Sequence, residues 1–139
     1  MKISKRAVTD AEYQIITADF EKINHLYNVS NKSAPRINVT VENEDGVVGF
    51  VSGLMNHKWF FLTDLWISEA MRGKGLGSKI LKMIEKDAKL QGSTNVYTWT
   101  TSYNSNDVFY EKQGYEKCLV LENYFDIPNG HHICLRKEL

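Results

Sequence analysis

Three glycines stand at every second position in the stretch AMRGKGLGSKIL, Ala70 to Leu81: Gly73, Gly75 and Gly77, with Arg72 and Lys74 among them and an apolar series at helical spacing behind them. Glycine where a helix would accept alanine costs roughly 1 kcal/mol, so three together point to something that must come close to the backbone. The residues before them read as a strand and those after them as a helix. A glycine-rich turn between the two is a ready anion site, because the first N–H groups of a helix lack acceptors and the helix dipole favours negative charge. The chemistry implied is phosphate or pyrophosphate binding. A Walker A loop requires GxxxxGK followed by Ser or Thr, and no such string occurs. A dinucleotide fingerprint requires GxGxxG, but Ser78 follows Gly77 and the register fails; the end of the next strand holds Thr100 and Thr101 where that motif expects an acid. Arg-x-x-Gly-x-Gly does fit, with Arg72, Gly75 and Gly77.

LWISEAMRGKGLGSKIL, followed downstream by VFYEKQGY, resembles the GCN5-related N-acetyltransferases, the GNAT family of acetyl-CoA-dependent acyltransferases. The resemblance covers nearly the whole chain, from the first strand and helix to the last hairpin. It implies that Leu65, Trp66 and Ile67 end the central strand, whose backbone pairs with the pantetheine arm, and that the strand Val96 to Thr101 splays from its parallel neighbour, leaving unpaired backbone groups for the cofactor. It implies that Arg72, Gly73, Lys74, Gly75, Leu76 and Gly77, with Ser78 just inside the helix, hold the pyrophosphate of acetyl-CoA. Tyr110 matches the tyrosine that in many members protonates the departing thiolate, with Phe109 before it and Gly114 four residues after it. Two positions depart from the family's pattern: Tyr103 stands seven residues before Tyr110, where asparagine is frequent, and Asn106 stands four before it, where a small residue is frequent. Asn104, one position along, is the expected cofactor contact in that segment.

The reaction so implied is direct attack of a neutral amine on the acetyl carbonyl, with coenzyme A leaving as a thiolate. A thiol of pKa about 8.5 and a phenol of about 10 are close enough for a tyrosine to serve as proton donor. No covalent intermediate is required, so Cys118 is not expected to carry the acyl group. Asp64 immediately precedes the LWI segment, where polyamine-type acetyltransferases, which this strand resembles, often carry acids; it is the candidate general base, with Glu69 behind it. Trp66, Tyr103, Tyr124 and Phe125 are candidates for an aromatic wall around an amine. His131 and His132 offer an imidazole as base or sensor, although hairpin histidines usually do neither.

These residues need a scaffold. Lys2 to Val8 reads as a weak first strand. The helix that follows is capped near Thr9 or Asp10, and Ile15, Ile16, Phe20, Ile23, Leu26 and Tyr27 give it a stripe expected to be buried. The polar loop NVSNKSAP is either a connection or a cover for a ligand. Alternation at Ile37, Val39 and Val41, a turn at Glu44-Asp45-Gly46 and the run from Val47 to Leu54 predict a hairpin, and Lys58 to Ile67 adds a third antiparallel strand. Leu76, Ile80, Leu81, Ile84 and Ala88 share a helical face between about Gly75 and Gln91. NVYTWTT then reads as a strand, the segment ending at Gly114 as a short helix, and the rest as two strands joined by Pro128-Asn129-Gly130. The expected fold class is α/β: a GNAT-type mixed, mostly antiparallel sheet of six to seven strands flanked by helices, with a central β-α-β crossover, residues 1–139 forming one acetyltransferase domain.

Composition sets the remaining bounds. The 139 residues are 42% hydrophobic and carry 17 Lys+Arg against 17 Asp+Glu, so no field of one sign recommends nucleic acid or a membrane surface as partner. No apolar run is long enough to span a bilayer, and the charged start does not read as a signal peptide, which makes a cytoplasmic location the expectation. Cys118 and Cys134 are expected as buried free thiols. No metal is expected, since CxxC is absent and the adjacent His131 and His132 point to opposite faces of a strand. The acceptor expected is a small-molecule amine, polyamine-like or otherwise. The alternatives are a protein lysine or N-terminus, or a non-catalytic acetyl-CoA sensor. A homodimer is expected by analogy with the family.

Overall fold

The computed structural model describes residues 1–30 and 34–139. Part of the polar loop after the first helix, residues 31–33, therefore lies outside the described residues, and so does its role as connection or cover. The chain forms two compact units, Met1–Ser33 and Ala34–Leu139.

The first unit holds one helix, α1 (Asp10–Leu26), opened by a capping box: the Thr9 hydroxyl accepts from Glu12 N–H at 3.2 Å and the Glu12 carboxylate accepts from Thr9 N–H at 2.8 Å. Residues 2–8 do not form the expected strand. The segment is rich in Lys and Arg, and Arg6 instead forks onto the Glu12 carboxylate with bonds of 2.9 and 2.8 Å. Among the described residues of this unit no second element lies on the apolar stripe of α1, and Ile15, Phe20, Ile23 and Leu26 are all more than half exposed.

The second unit is a six-stranded sheet made of β1 (Arg36–Asn43), β2 (Gly46–Asn56), β3 (Trp59–Ile67), β4 (Asn95–Thr101), β5 (Glu116–Leu121) and β6 (His132–Glu138), ordered β1-β2-β3-β4-β6-β5. Every neighbouring pair is antiparallel except β3 and β4, which run parallel. That parallel pair is joined by the 3-10 turn Glu69–Met71 and helix α2 (Leu76–Leu90), the β-α-β crossover. A short helix, α3 (Asn106–Lys112), links β4 to β5.

The core lies on the sheet face that α2 covers. Ile80, Leu81, Ile84 and Ala88 from α2 meet Val51, Phe60, Leu62, Val96 and Leu135 from the strands, and Tyr110 and Tyr115 close the end beneath α3. Alternation decides which residues turn inward: Val39, Val51 and Leu65 pack on the core side, so their neighbours Asn38, Ser52 and Asp64 face the other way. Glu85 is buried within this core at 7% exposure, where its carboxylate accepts from the Tyr115 hydroxyl at 2.7 Å and from Lys137 Nζ at 2.8 Å. Both cysteines are free thiols, Cys134 buried and Cys118 exposed. Cys118 misses its expected burial because the β5–β6 register slips between Lys117 and Leu119, leaving it unpaired at a bulge on the edge strand.

Candidate active site

The parallel pairing of β3 with β4 is short. It runs from Trp59 opposite Asn95 to Leu62 opposite Thr98 and stops, although β3 continues to Ile67 and β4 to Thr101. At the fork the Thr98 hydroxyl donates to the Leu62 carbonyl at 3.0 Å. Beyond it Leu65, Trp66 and Ile67 remain paired with β2 on one side. Their other edge is open toward the fork and offers backbone donors and acceptors to a ligand lying alongside.

The glycine loop closes the end of this opening. Gly73 at φ +73 and Gly75 at φ +80 hold the left-handed backbone that brings the chain round into α2, and a Cβ on either would meet no atom within 4 Å. Glycine is needed there for the sign of φ, and the space above both residues is free for a ligand. The first intrahelical bond runs from Lys79 N–H to the Gly75 carbonyl at 3.1 Å, so the N–H groups of the first turn point out of the helix without intrahelical acceptors. Arg72 and Lys74 turn back on the loop itself: Arg72 Nε donates to the Ile67 carbonyl and Lys74 Nζ to the Ala70 carbonyl, each at 3.0 Å.

A cavity of about 720 Å³ joins these parts. Leu65, Trp66 and Ile67 line it from β3, and Arg72, Gly73, Gly75, Leu76, Gly77 and Ser78 line it from the loop and the start of α2. Asn104 reaches it from the β4–α3 connection, one residue out of register with the family's pattern and still on the cavity wall, with Asn106 and Phe109 beside it. Lys74 is not on the wall; its ammonium braces the loop from behind. Met71 lines the cavity as well, a position that no spacing in the sequence singles out.

The two expected catalytic residues lie off the cavity wall, on opposite faces of the sheet near the fork. Tyr110 belongs to the core side, 7% exposed, packed edge-on against Phe109 and Tyr115 and sharing a hydrogen bond with the Thr98 side chain. Burial pushes its phenol up to about 12, against a weaker opposing pull from Thr98. Asp64 faces the other side with a half-exposed carboxylate that accepts from the Thr63 hydroxyl at 2.7 Å. Tyr103, Tyr124 and Phe125 do gather: Phe125 meets Tyr103 and Tyr124 edge-on at 5.4 and 5.0 Å. His132 stacks between Tyr124 and Trp99 and its Nδ1 bonds the Thr100 carbonyl, while His131 Nδ1 accepts from Asn123 N–H. Trp66 has no ring contact with that cluster among the described residues. Among them, too, no group of three or more His, Cys, Asp or Glu is placed to hold a metal ion, and no helix is long and apolar enough to cross a membrane.

A sheet forked beside a glycine loop that leads into a helix is the geometry expected of the resemblance, and comparison decides it. The family model described as "Acetyltransferase (GNAT) domain" matches residues 35–117, more than half of the chain. The chain belongs to the GNAT acetyltransferase family. The enzyme is 30% identical over 113 residues to an acetyltransferase of Agrobacterium fabrum, covering 79% of this chain and 80% of that one. Among solved structures this acetyltransferase is similar to an acetyltransferase of Bacillus cereus, at 27% identity with a TM-score of 0.78 over 99% of this chain and 98% of that one. An aminoglycoside 6'-N-acetyltransferase complexed with coenzyme A shares the fold, at 17% identity and a TM-score of 0.65 over 95% of each chain. The protein is accordingly an N-acetyltransferase enzyme of GNAT type.

Proposed function

We propose that this acetyltransferase uses acetyl-CoA and passes the acetyl group directly to the primary amine of a small molecule, residues 1–139 acting as one catalytic domain. The observation that carries the reading is the cavity, which runs from an anion-binding helix N-terminus to the open edge of β3. The residues present fit the cofactor: the space over Gly73 and Gly75 suits a pyrophosphate, and the edge of Leu65–Ile67 suits an extended arm with amide groups. A fold neighbour is described in complex with coenzyme A, which agrees with this assignment.

Bound acetyl-CoA supplies an activated thioester, whose acetyl group forms a C–N bond as the C–S bond breaks. The chain supplies position and protons. Backbone groups of Leu65, Trp66 and Ile67 orient the arm, and the first-turn amides of α2 with Ser78 and Asn104 hold the phosphate end and the wall opposite. Asp64 accepts the proton that the amine loses. Tyr110 sits where β3 and β4 part, but a phenol at about 12 is roughly three units above an ordinary thiol. It therefore acts by donating a hydrogen bond to the developing thiolate while keeping its own proton, a different role from the near-matched acid that an unperturbed tyrosine would be. Tyr103, Tyr124 and Phe125 offer ring faces to the amine's carbon skeleton. The edge strand β5 exposes Leu119, Val120 and Leu121, the surface that supports pairing of two copies.

Calorimetric titration with acetyl-CoA, followed by mass detection of acetylated products from a panel of small amines and peptides, tests the reading. Saturable binding with acetylated small amines is the expected result. Absence of binding would overturn the cofactor assignment, and acetylation of peptides alone would overturn the acceptor class.

A further inference from the structure

The face of β1, β2 and β3 turned away from α2 carries a polar cluster that the reaction above uses only in part. Arg36 opens β1, and its Nη1 donates to the hydroxyls of Ser52 at 2.8 Å and Thr63 at 2.9 Å. Ser52 is 1% exposed and donates in turn to Asn38 Oδ1 at 2.7 Å, while Thr63 donates to Asp64 Oδ2 at 2.7 Å. Each hydroxyl has a single proton and gives it elsewhere, so toward Arg36 both are acceptors. The nearest carboxylate, Asp64, lies 3.9 Å from Nη1, beyond hydrogen-bonding distance. The guanidinium is thus held by neutral oxygens through one nitrogen. Among the described residues both of its hydrogen bonds leave from Nη1, and the Nε–Nη2 edge, the one shaped for a planar bidentate anion, stays open.

Its place in the fold gives that edge a purpose. Asn38, Ser52 and Asp64 form one cross-strand row. The slip in β2–β3 register after Ser52 leaves Thr63 as an extra residue beside Asp64, so that both side chains meet Arg36 there. Trp66, on the cavity wall, follows Asp64 by two residues on the same face, about 7 Å along the strand. An open cation and an acceptor carboxylate therefore stand side by side, one step from the cofactor cavity. A polycation gains little from such a neutral pair, and a dianion would be repelled by Asp64. A molecule carrying one carboxylate and one amine complements both charges.

We infer that Arg36 is the subsite for a carboxylate on the acceptor, and that the amine acetylated here belongs to an amino-acid-like molecule whose nitrogen is turned toward Asp64. This rests on the small-molecule reading above and narrows it. The test is kcat/KM, read from thiol release with acetyl-CoA, over matched sets of an amino acid, its amide and the amine that lacks the carboxylate. The intact enzyme is expected to favour the carboxylate-bearing member by about ten- to a hundredfold, the range of a charge-assisted hydrogen bond. In Arg36→Gln that ratio falls toward one, and Arg36→Lys, which keeps the charge without the fork, lies between. An intact enzyme that acetylates the carboxylate-free amine equally well overturns the inference and leaves the acceptor class standing. A ratio unchanged in Arg36→Gln, with all members slowed alike, also overturns it and makes Arg36 a brace between strands. Acetylation of peptides alone removes both. Should Arg36→Gln fail to fold, the intact ratio and the Lys variant decide.

Discussion

Gly75 and Gly92 stand just beyond opposite ends of α2, and comparing alanine at each separates the backbone's needs from the ligand's. Both have positive φ, +80 at Gly75 and +107 at Gly92, and in neither case would a Cβ meet an atom within 4 Å. Crowding therefore contributes nothing, and what remains is the cost of a left-handed conformation for a residue with a Cβ, about 1–2 kcal/mol. Gly75→Ala and Gly92→Ala should lose this much alike, a fall in Tm of about 3–8 °C for a chain of this size. Only Gly75 lines the cavity. Its methyl group would stand where an anion approaches the first-turn amides, and loss of one charge-assisted hydrogen bond weakens acetyl-CoA binding by about ten- to a hundredfold. Differential scanning calorimetry gives the first quantity and isothermal titration the second. Equal acetyl-CoA affinity in the two variants would refute the assignment of this loop as the pyrophosphate cradle. A much larger loss of stability in Gly75→Ala would show that the loop is held by more than the sign of its φ.

Tyr110→Phe should bind acetyl-CoA nearly as the intact enzyme does and lose about ten- to a hundredfold in kcat, the share of one hydrogen bond to a developing charge; single-turnover kinetics measure it, and unchanged turnover removes Tyr110 from the reaction. The same residue makes a prediction about alkali. Its phenol moves from 10 unfolded to about 12 folded, so its contribution is complete below pH 10 and is lost as pH rises through 12; urea titrations across that window should show intact protein losing stability more steeply than Tyr110→Phe. Lys137→Met leaves the buried Glu85 carboxylate without its cation and should cost about 3 kcal/mol in urea unfolding, most of it recovered when Glu85→Leu is added. Thr9→Ala removes one arm of the α1 capping box and should cost that helix about 1 kcal/mol, read as faster hydrogen exchange at its first amides. Its partner Glu12 is held at about 2 instead of 4.5, chiefly by the Arg6 hydrogen bonds, so the cap is complete above pH 4.5 and fails as pH falls through 2.

The elements that strict periodicity marks were legible in the sequence. Alternation at Ile37, Val39 and Val41 gave β1, the stripe from Leu76 to Ala88 gave α2, and the cap expected near Thr9 or Asp10 marked the start of α1. The glycine loop was legible because its residues are costly anywhere else. What escaped has physical causes. Lys2 to Val8 has the composition for several conformations, and the Arg6–Glu12 contact, which no strand pattern encodes, decides among them. Bulges at Thr63 and Cys118 are shifts of register between two strands, invisible in either strand alone. Arg36 at the head of a strand reads as a solvated charge until Ser52 and Thr63 come round to it. Glu85 on a helix reads as surface until the last strand brings Lys137 across the chain. Tyr110 is singled out by motif, but its raised acidity constant follows from burial, which a motif does not carry.

Helix α2 has its shank wedged in the core by Ile80, Leu81 and Ile84 and its tip on the cavity wall at Leu76, Gly77 and Ser78. A helix is stiff along its axis, so it works as a piston: a change of volume at the shank that slides it by a fraction of an ångström carries the tip the same distance. On the proposed donor assignment, core packing and grip on the donor are coupled through this one helix. Variants with a tighter core are then expected to shift donor affinity although no residue near the donor has changed.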